Sequence, residues 1–244
     1  MDGKLHIILF IASINLYFTR YDHSKMDPPG TMLAGYDKMA PIWLLTAYVA
    51  TVIKTSTPQQ RNNTRSLSFI QFGLQTSVIG DVCQMMLPMF PYIPATCFRA
   101  VTHGLYSVAF GAYSGTPFSN IMFFMMYLMG FLSIEVHVTS YTIKAFVMCY
   151  SALLGNSVWR AATRFRDERS KGTCICCVGA MLFICSDYLF ACNKWMFPIS
   201  KCQFLVTLTY YAAQFGIALG ETINVKANKR EVVSPIHYLR HYFH

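Results

Sequence analysis

The sequence predicts an all-α fold, a polytopic transmembrane helix bundle of about eight helices with both termini in the cytosol. Three observations carry that expectation. Charged residues make up only 13% of the 244 residues, about half of the ~25% usual for a soluble domain. Hydrophobic residues make up 54%, with a mean hydropathy of +0.37, and they come in blocks rather than alternating with polar residues as one buried core requires. The basic residues, which give a formal charge of +9, sit between those blocks and form no single stripe of the kind that tracks nucleic acid. Membrane lipid, and not nucleic acid, is therefore the expected partner. Residues 1–244 read as a single integral membrane domain.

Eight apolar segments follow one another. The first, residues 5–18, comes after Lys4 and has the look of a signal peptide, but no small-residue cleavage pattern precedes Arg20, so a retained helix is expected. Residues 40–53 form the second segment and 67–90 the third, which carries Asp81. The fourth, 95–113, carries His103 and Tyr106; the fifth is 121–134; the sixth, 142–159, holds Tyr150 and ends at Trp159. The seventh, 173–192, carries Asp187, and the eighth, 203–220, carries Thr209, Tyr210 and Gln214. A crossing needs ~20 residues for a ~30 Å hydrocarbon core. The segments of about fourteen residues must therefore take in flanking positions such as Tyr17, Tyr36 and Tyr141, whose amphipathic rings suit the interface. From about residue 225 a polar stretch reads as a disordered cytosolic tail.

Orientation follows from the twenty basic residues. With the N-terminus cytosolic, thirteen fall on the cytosolic side, including Lys54, Arg61, Arg65 and the run from Arg160 to Lys171. Five fall on the far side: Arg20, Lys25, Lys38, Lys194 and Lys201. The excess sets both termini inside. The sequon Asn62-Asn63-Thr64 then lies on a cytosolic loop and should stay unglycosylated.

Two acids inside apolar segments carry the functional expectation. Asp81 in Ile79-Gly80-Asp81-Val82 and Asp187 in Cys185-Ser186-Asp187-Tyr188 each cost ~2.5–3.5 kcal/mol to insert, which marks them as functional candidates. Segments three and seven run the same way through the bilayer, and each acid lies 14 residues past its segment's first residue, so both sit ~21 Å from the cytosolic side. Each follows a small residue that permits close helix approach. The alternative is structural, with each Asp serving as a packing hydrogen-bonder or paired with Arg99 or Lys144. Such packing bonds yield only ~0.6 kcal/mol on average, less than the insertion cost. His103 with Tyr106, and Tyr210 with Gln214, share helix faces at i, i+3 and i, i+4 spacing, although ordinary core packing accounts for any one of them taken singly. Cys174, Cys176 and Cys177 form half of a zinc pattern with no second half, and His237, His241 and His244 have no acid or cysteine beside them, so no metal and no cofactor are expected. No nucleophile elbow, P-loop or dinucleotide fingerprint occurs, which removes common serine esterases and nucleotide-driven pumps.

These residues also carry a resemblance. Gly80-Asp81, His103-Gly104-Leu105-Tyr106, Tyr150 with Trp159-Arg160-Ala161, the run Gly179 to Asp187, and Thr209-Tyr210-Tyr211-Ala212-Ala213-Gln214 resemble, in order and placement, the YhhN-like family of membrane lysoplasmalogenases. The likeness spans about residues 40–220. One departure is Lys54-Thr55, where the family usually carries Lys-Pro. The resemblance implies a hydrolase that cleaves the vinyl ether bond of a lysophospholipid, the lysoplasmalogen, to a fatty aldehyde and glycerophosphocholine or glycerophosphoethanolamine. An enol ether is cleaved by protonation at its β-carbon and addition of water to the resulting oxocarbenium ion, which calls for one protonated and one ionised carboxyl. Two nearby carboxyls in a low-dielectric site supply both, as they do in glycosidases. Asp81 and Asp187 are the expected catalytic pair, with Asp187 the better desolvated behind the apolar run Met181 to Ile184. Lys54, His103, Tyr106, Tyr210 and Gln214 are the expected substrate-binding groups, Lys54 as a point charge for phosphate. The other reading of the two acids is a proton relay in a transporter, and a third is a non-catalytic lipid-binding or scaffold protein. The endoplasmic reticulum is the default membrane for a eukaryotic source.

Overall fold

The computed structural model describes residues 3–21, 32–57, 64–86, 92–112 and 116–227. Arg61, Asn62, Asn63, Lys25 and the tail histidines His237, His241 and His244 lie outside these residues. The described chain is all-α: α1 (Gly3–Arg20), α2 (Met32–Thr55), α3 (Thr64–Met86), α4 (Tyr92–Phe110), α5 (Pro117–Glu135), α6 (Tyr141–Glu168), α7 (Lys171–Ala191) with a π-helical turn at Cys192–Met196, and α8 (Cys202–Ala227). Each apolar segment becomes a helix. The three short segments lengthen to 18, 24 and 19 residues in α1, α2 and α5, because backbone with no water to bond must close its own hydrogen bonds. Two spans, Lys171–Met196 and Cys202–Ala227, are by length and composition apolar enough to cross a membrane.

Beside an apolar core that includes Ile42, Leu74 and Ile217, Lys38, Asp81, His103, Gln214 and Glu221 are buried, while Ile8, Trp43, Phe72, Val108, Phe124 and Met129 are exposed. Exposed large apolar side chains in such number mark a surface that meets an apolar partner.

α2, α3, α4, α6, α7 and α8 pack in sequence around a polar interior, α8 closing the ring against α2 and α3. α1 covers α2, stacks Phe10 on Phe215 of α8 and sets Tyr17 edge-on against Tyr211. α5 lies outside, against α6. The tightest contact is α7 on α8, where a Cβ at Gly179 would stand 2.8 Å from Ile217 N and one at Gly220 2.6 Å from Gly172 O. Small residues thus bring two backbones into contact. The α6–α7 connection is only two residues long: Arg169 takes a left-handed φ of 48° and donates to Phe165 O, and Ser170 caps α7 in a reciprocal pair with Thr173. Such a turn forces α6 and α7 to be antiparallel neighbours. Near this end Arg164 pairs with the buried Glu221 at 2.8 Å, and Cys176 is taken up by helix packing, its thiol donating to Ile217 O.

Candidate functional site

α3 builds one wall of the site. Ser77, Asp81 and Gln84 stand at i, i+4 and i+7, one face of a helix. Asp81, with no exposed surface, accepts from Arg99 Nη2 of α4 at 3.0 Å on Oδ1 and from Tyr210 Oη of α8 at 3.0 Å on Oδ2. Lys38 Nζ of α2 stands 3.6 Å from the same Oδ1. Lys38 is itself held by its backbone, whose carbonyl accepts from Tyr211 Oη at 2.7 Å. Arg99 also donates to Gln84 at 2.9 Å. Among the described residues its buried Nε–H has no hydrogen-bond partner.

A line of polar side chains runs inward from Asp81. Tyr210 Oη lies 2.6 Å from Ser77 Oγ, which accepts from Gln214 Nε2 at 3.0 Å. Gln214 Oε1 in turn accepts from Tyr106 Oη at 2.5 Å. With Tyr210 donating to Asp81, every link passes its hydrogen toward the carboxylate. Tyr106 reaches this position because Gly73 leaves room: a Cβ there would stand 2.3 Å from the Tyr106 ring.

Asp187 has other surroundings. Its Oδ2 is in a very short hydrogen bond with Tyr150 Oη of α6. Tyr150 Oη lies 3.3 Å from His103 Nε2, and His103 Nδ1 lies 3.3 Å from Ser157 Oγ. Among the described residues no cation stands within 4 Å of Asp187. Ser186 beside it donates to Val206 O at 2.8 Å, fixing α7 to α8.

Both acids line one cavity of about 30 Å³, with Lys38, Gln84, Arg99, Ser186, Phe190, Gln203, Val206, Thr207 and Tyr210. That is room for a few water molecules. Asp81 lies 17 residues into α3 and Asp187 16 into α7, ~26 and ~24 Å from the helix starts. Lys38, Arg99 and Tyr210 come from the first half of the even-numbered helices. The site therefore lies toward the end of the bundle where odd helices stop and even ones begin.

His103, Tyr106, Tyr210 and Gln214 all join the networks behind the two acids, and only Tyr210 of these four lines the cavity. Lys54 does not join them. It is exposed and lies 16 residues along α2 from Lys38, ~24 Å away at the opposite end of the helix. The lysine of the cavity is Lys38, which the sequence reading assigned to a far-side loop because α2 begins eight residues before its apolar segment. Thr209 bonds back to Leu205 O of its own helix. Of the two cations weighed as partners for the acids, Arg99 pairs with Asp81 and Lys144 pairs with Glu135 at 2.5 Å. Ser77, Gln84 and Ser157 were missed. The stripe Ser77, Asp81, Gln84 in an apolar segment was the available signal for the first two.

No curated protein and no solved structure matches the chain. A family model, that of the YhhN family, matches residues 34–221, which covers the acids, the cations and both hydrogen-bond lines. The chain belongs to the YhhN family.

Proposed function

We propose that the protein is a multi-pass membrane hydrolase that cleaves the vinyl ether bond of lysoplasmalogens, with Asp81 and Asp187 as its acid and base. The observation that carries this is one cavity lined by two carboxyls, Asp81 fully buried and Asp187 half-buried, with opposite surroundings. Asp81 sits among N–H and O–H donors and cations, and Asp187 beside a phenol with, among the described residues, no cation within 4 Å. Such unlike surroundings separate a pair of carboxyls into ionised and protonated members.

The steps balance without a cofactor. The protonated carboxyl delivers its proton to the β-carbon of the vinyl ether, leaving an oxocarbenium ion next to the ether oxygen. The ionised carboxyl takes a proton from water as its oxygen bonds the adjacent carbon, and a hemiacetal results. On collapse the first carboxylate takes the hemiacetal hydroxyl proton while the second carboxyl returns its proton to the departing glycerol oxygen. Aldehyde and glycerophospho-alcohol leave, and both groups regain their starting states. The free Arg99 Nε–H offers a donor to a phosphate or glycerol oxygen. The cavity holds only a few water molecules, so admitting a lipid chain requires the site to widen.

With both termini cytosolic, the cavity lies in the half of the bilayer away from the cytosol, and the endoplasmic reticulum is the proposed membrane. The test uses purified protein in detergent with a defined lysoplasmalogen, scored for aldehyde release. Folded Asp81→Asn and Asp187→Asn should each lose at least ~10²-fold, the low end of what a positioned acid or base supplies. Equal activity in wild type and either variant would refute the assignment. Gradient-driven flux into liposomes without product would identify a proton-coupled transporter instead.

A further inference from the structure

We propose that Tyr150, His103 and Ser157 are positioning residues that keep the site's proton on Asp187, through a hydrogen-bond relay anchored on a backbone carbonyl. Its catalytic meaning rests on the hydrolase reading above, whereas the proton's location is measurable without turnover.

The relay is read from its far end. Ser157 Oγ has one hydrogen and donates it to Leu154 O at 2.8 Å. A carbonyl only accepts, so this link cannot reverse. Toward His103, 3.3 Å away, Ser157 Oγ therefore acts as acceptor, and Nδ1 carries the ring hydrogen. His103 is 1% exposed and packs edge-on against Phe183, centroids 4.6 Å apart. Among the described residues no carboxylate is hydrogen-bonded to it. An imidazolium would be an unpaired buried charge costing several kcal/mol, so the ring is neutral and Nε2 is bare. Nε2 then accepts from Tyr150 Oη. An ionised Asp187 would take the Tyr150 hydrogen in the short bond; with that hydrogen committed to His103 instead, the Tyr150 oxygen becomes the acceptor there, and the hydrogen of the short bond comes from the Asp187 carboxyl. The imidazolyl Nδ1–H tautomer satisfies every donor and acceptor along the line. The opposite tautomer asks Ser157 to give one hydrogen to two acceptors.

Asp81 is surrounded in the reverse sense. Arg99 and Tyr210 both donate to it and Lys38 adds charge, so it is the ionised member. The relay assigns Asp187 as the acid that protonates the vinyl ether, and the hemiacetal proton returns to it in the last step.

Infrared difference spectra of the purified full chain at neutral pH test this. Wild type minus Asp187→Asn should show the carbonyl stretch of a protonated carboxyl, shifted down in D₂O. His103→Leu deprives Tyr150 of its acceptor and turns its hydrogen toward Asp187, so the band should weaken. His103→Gln, which offers Oε1 in place of Nε2, should restore it. Tyr150→Phe should lower kcat by at least ~10-fold, a part of the ~10²- to 10⁴-fold a positioned acid supplies, with KM unchanged. A wild-type spectrum with no band dependent on Asp187, or a band that His103→Leu leaves unmoved, overturns the relay. A band that behaves as expected in a protein that releases no aldehyde leaves the relay standing and defeats the hydrolase instead.

Discussion

Asp81→Asn and Asp187→Asn should both abolish hydrolysis, yet they should differ sharply in stability. Asp81 is the shared counter-ion of Arg99 at 3.0 Å and Lys38 at 3.6 Å, whose side chains are 20% and 7% exposed. An amide in its place leaves two like charges in the interior with no carboxylate between them. Removing one partner of a buried ion pair costs ~3–5 kcal/mol. At ~2–4 °C per kcal/mol for a chain of this size, even the lower figure implies a fall in Tm of ~6–12 °C. Asp187 has no such cation among the described residues, so Asp187→Asn should stay within ~1 kcal/mol, the scale of a single hydrogen bond. Adding Lys38→Met to Asp81→Asn should recover part of the loss, because it removes the more deeply buried of the two stranded charges. Thermal unfolding in detergent is followed with a thiol-reactive fluorophore, which reports the buried Cys176, Cys192 and Cys202 over a background from Cys97, Cys149 and Cys185. Equal Tm values for the two Asn variants, or a further fall on adding Lys38→Met, would refute the shared counter-ion.

Two more predictions rest on local geometry. Gly73→Ala sets a Cβ 2.3 Å from the Tyr106 ring, and that ring is 1% exposed with its hydroxyl bonded to Gln214. Overpacking of this kind costs ~1–3 kcal/mol, and the same Tm assay should show it, accompanied by reduced aldehyde release. Lys54→Met should hydrolyse lysoplasmalogen at the wild-type rate, whereas Lys38→Met should be impaired; the paired assay fails the geometry if Lys54→Met is the damaged variant.

Much of the fold was legible because long apolar helices write themselves into composition. The eight apolar segments could be counted from the sequence, and each became a helix. Their ends were less legible. Asp37 and Lys38 carry no hydropathic mark of the helix they belong to, and for that reason Lys38 was placed on the far side and Lys54 read as the phosphate-binding lysine. The two acids stood out because an ionisable group in an apolar run is costly. The hydroxyls of Ser77 and Ser157 did not, since a single hydroxyl on a helix face costs little and is usually absorbed by packing.

The sequence by itself determined that the chain is helical, how many helices it has, and which acids lie inside them, because these follow from the local energetics of burying side chains. Tertiary structure alone decided that both acids open on one cavity, that Arg99 and Lys38 belong to Asp81, and that Tyr150 and His103 belong to Asp187. Partners 18 to 129 residues apart in sequence meet only when the crossings are packed. The close α7–α8 approach uses Gly216 and Gly220 against Gly179, Gly172 and Cys176, and an i, i+4 spacing of small residues does not by itself name the helix it meets.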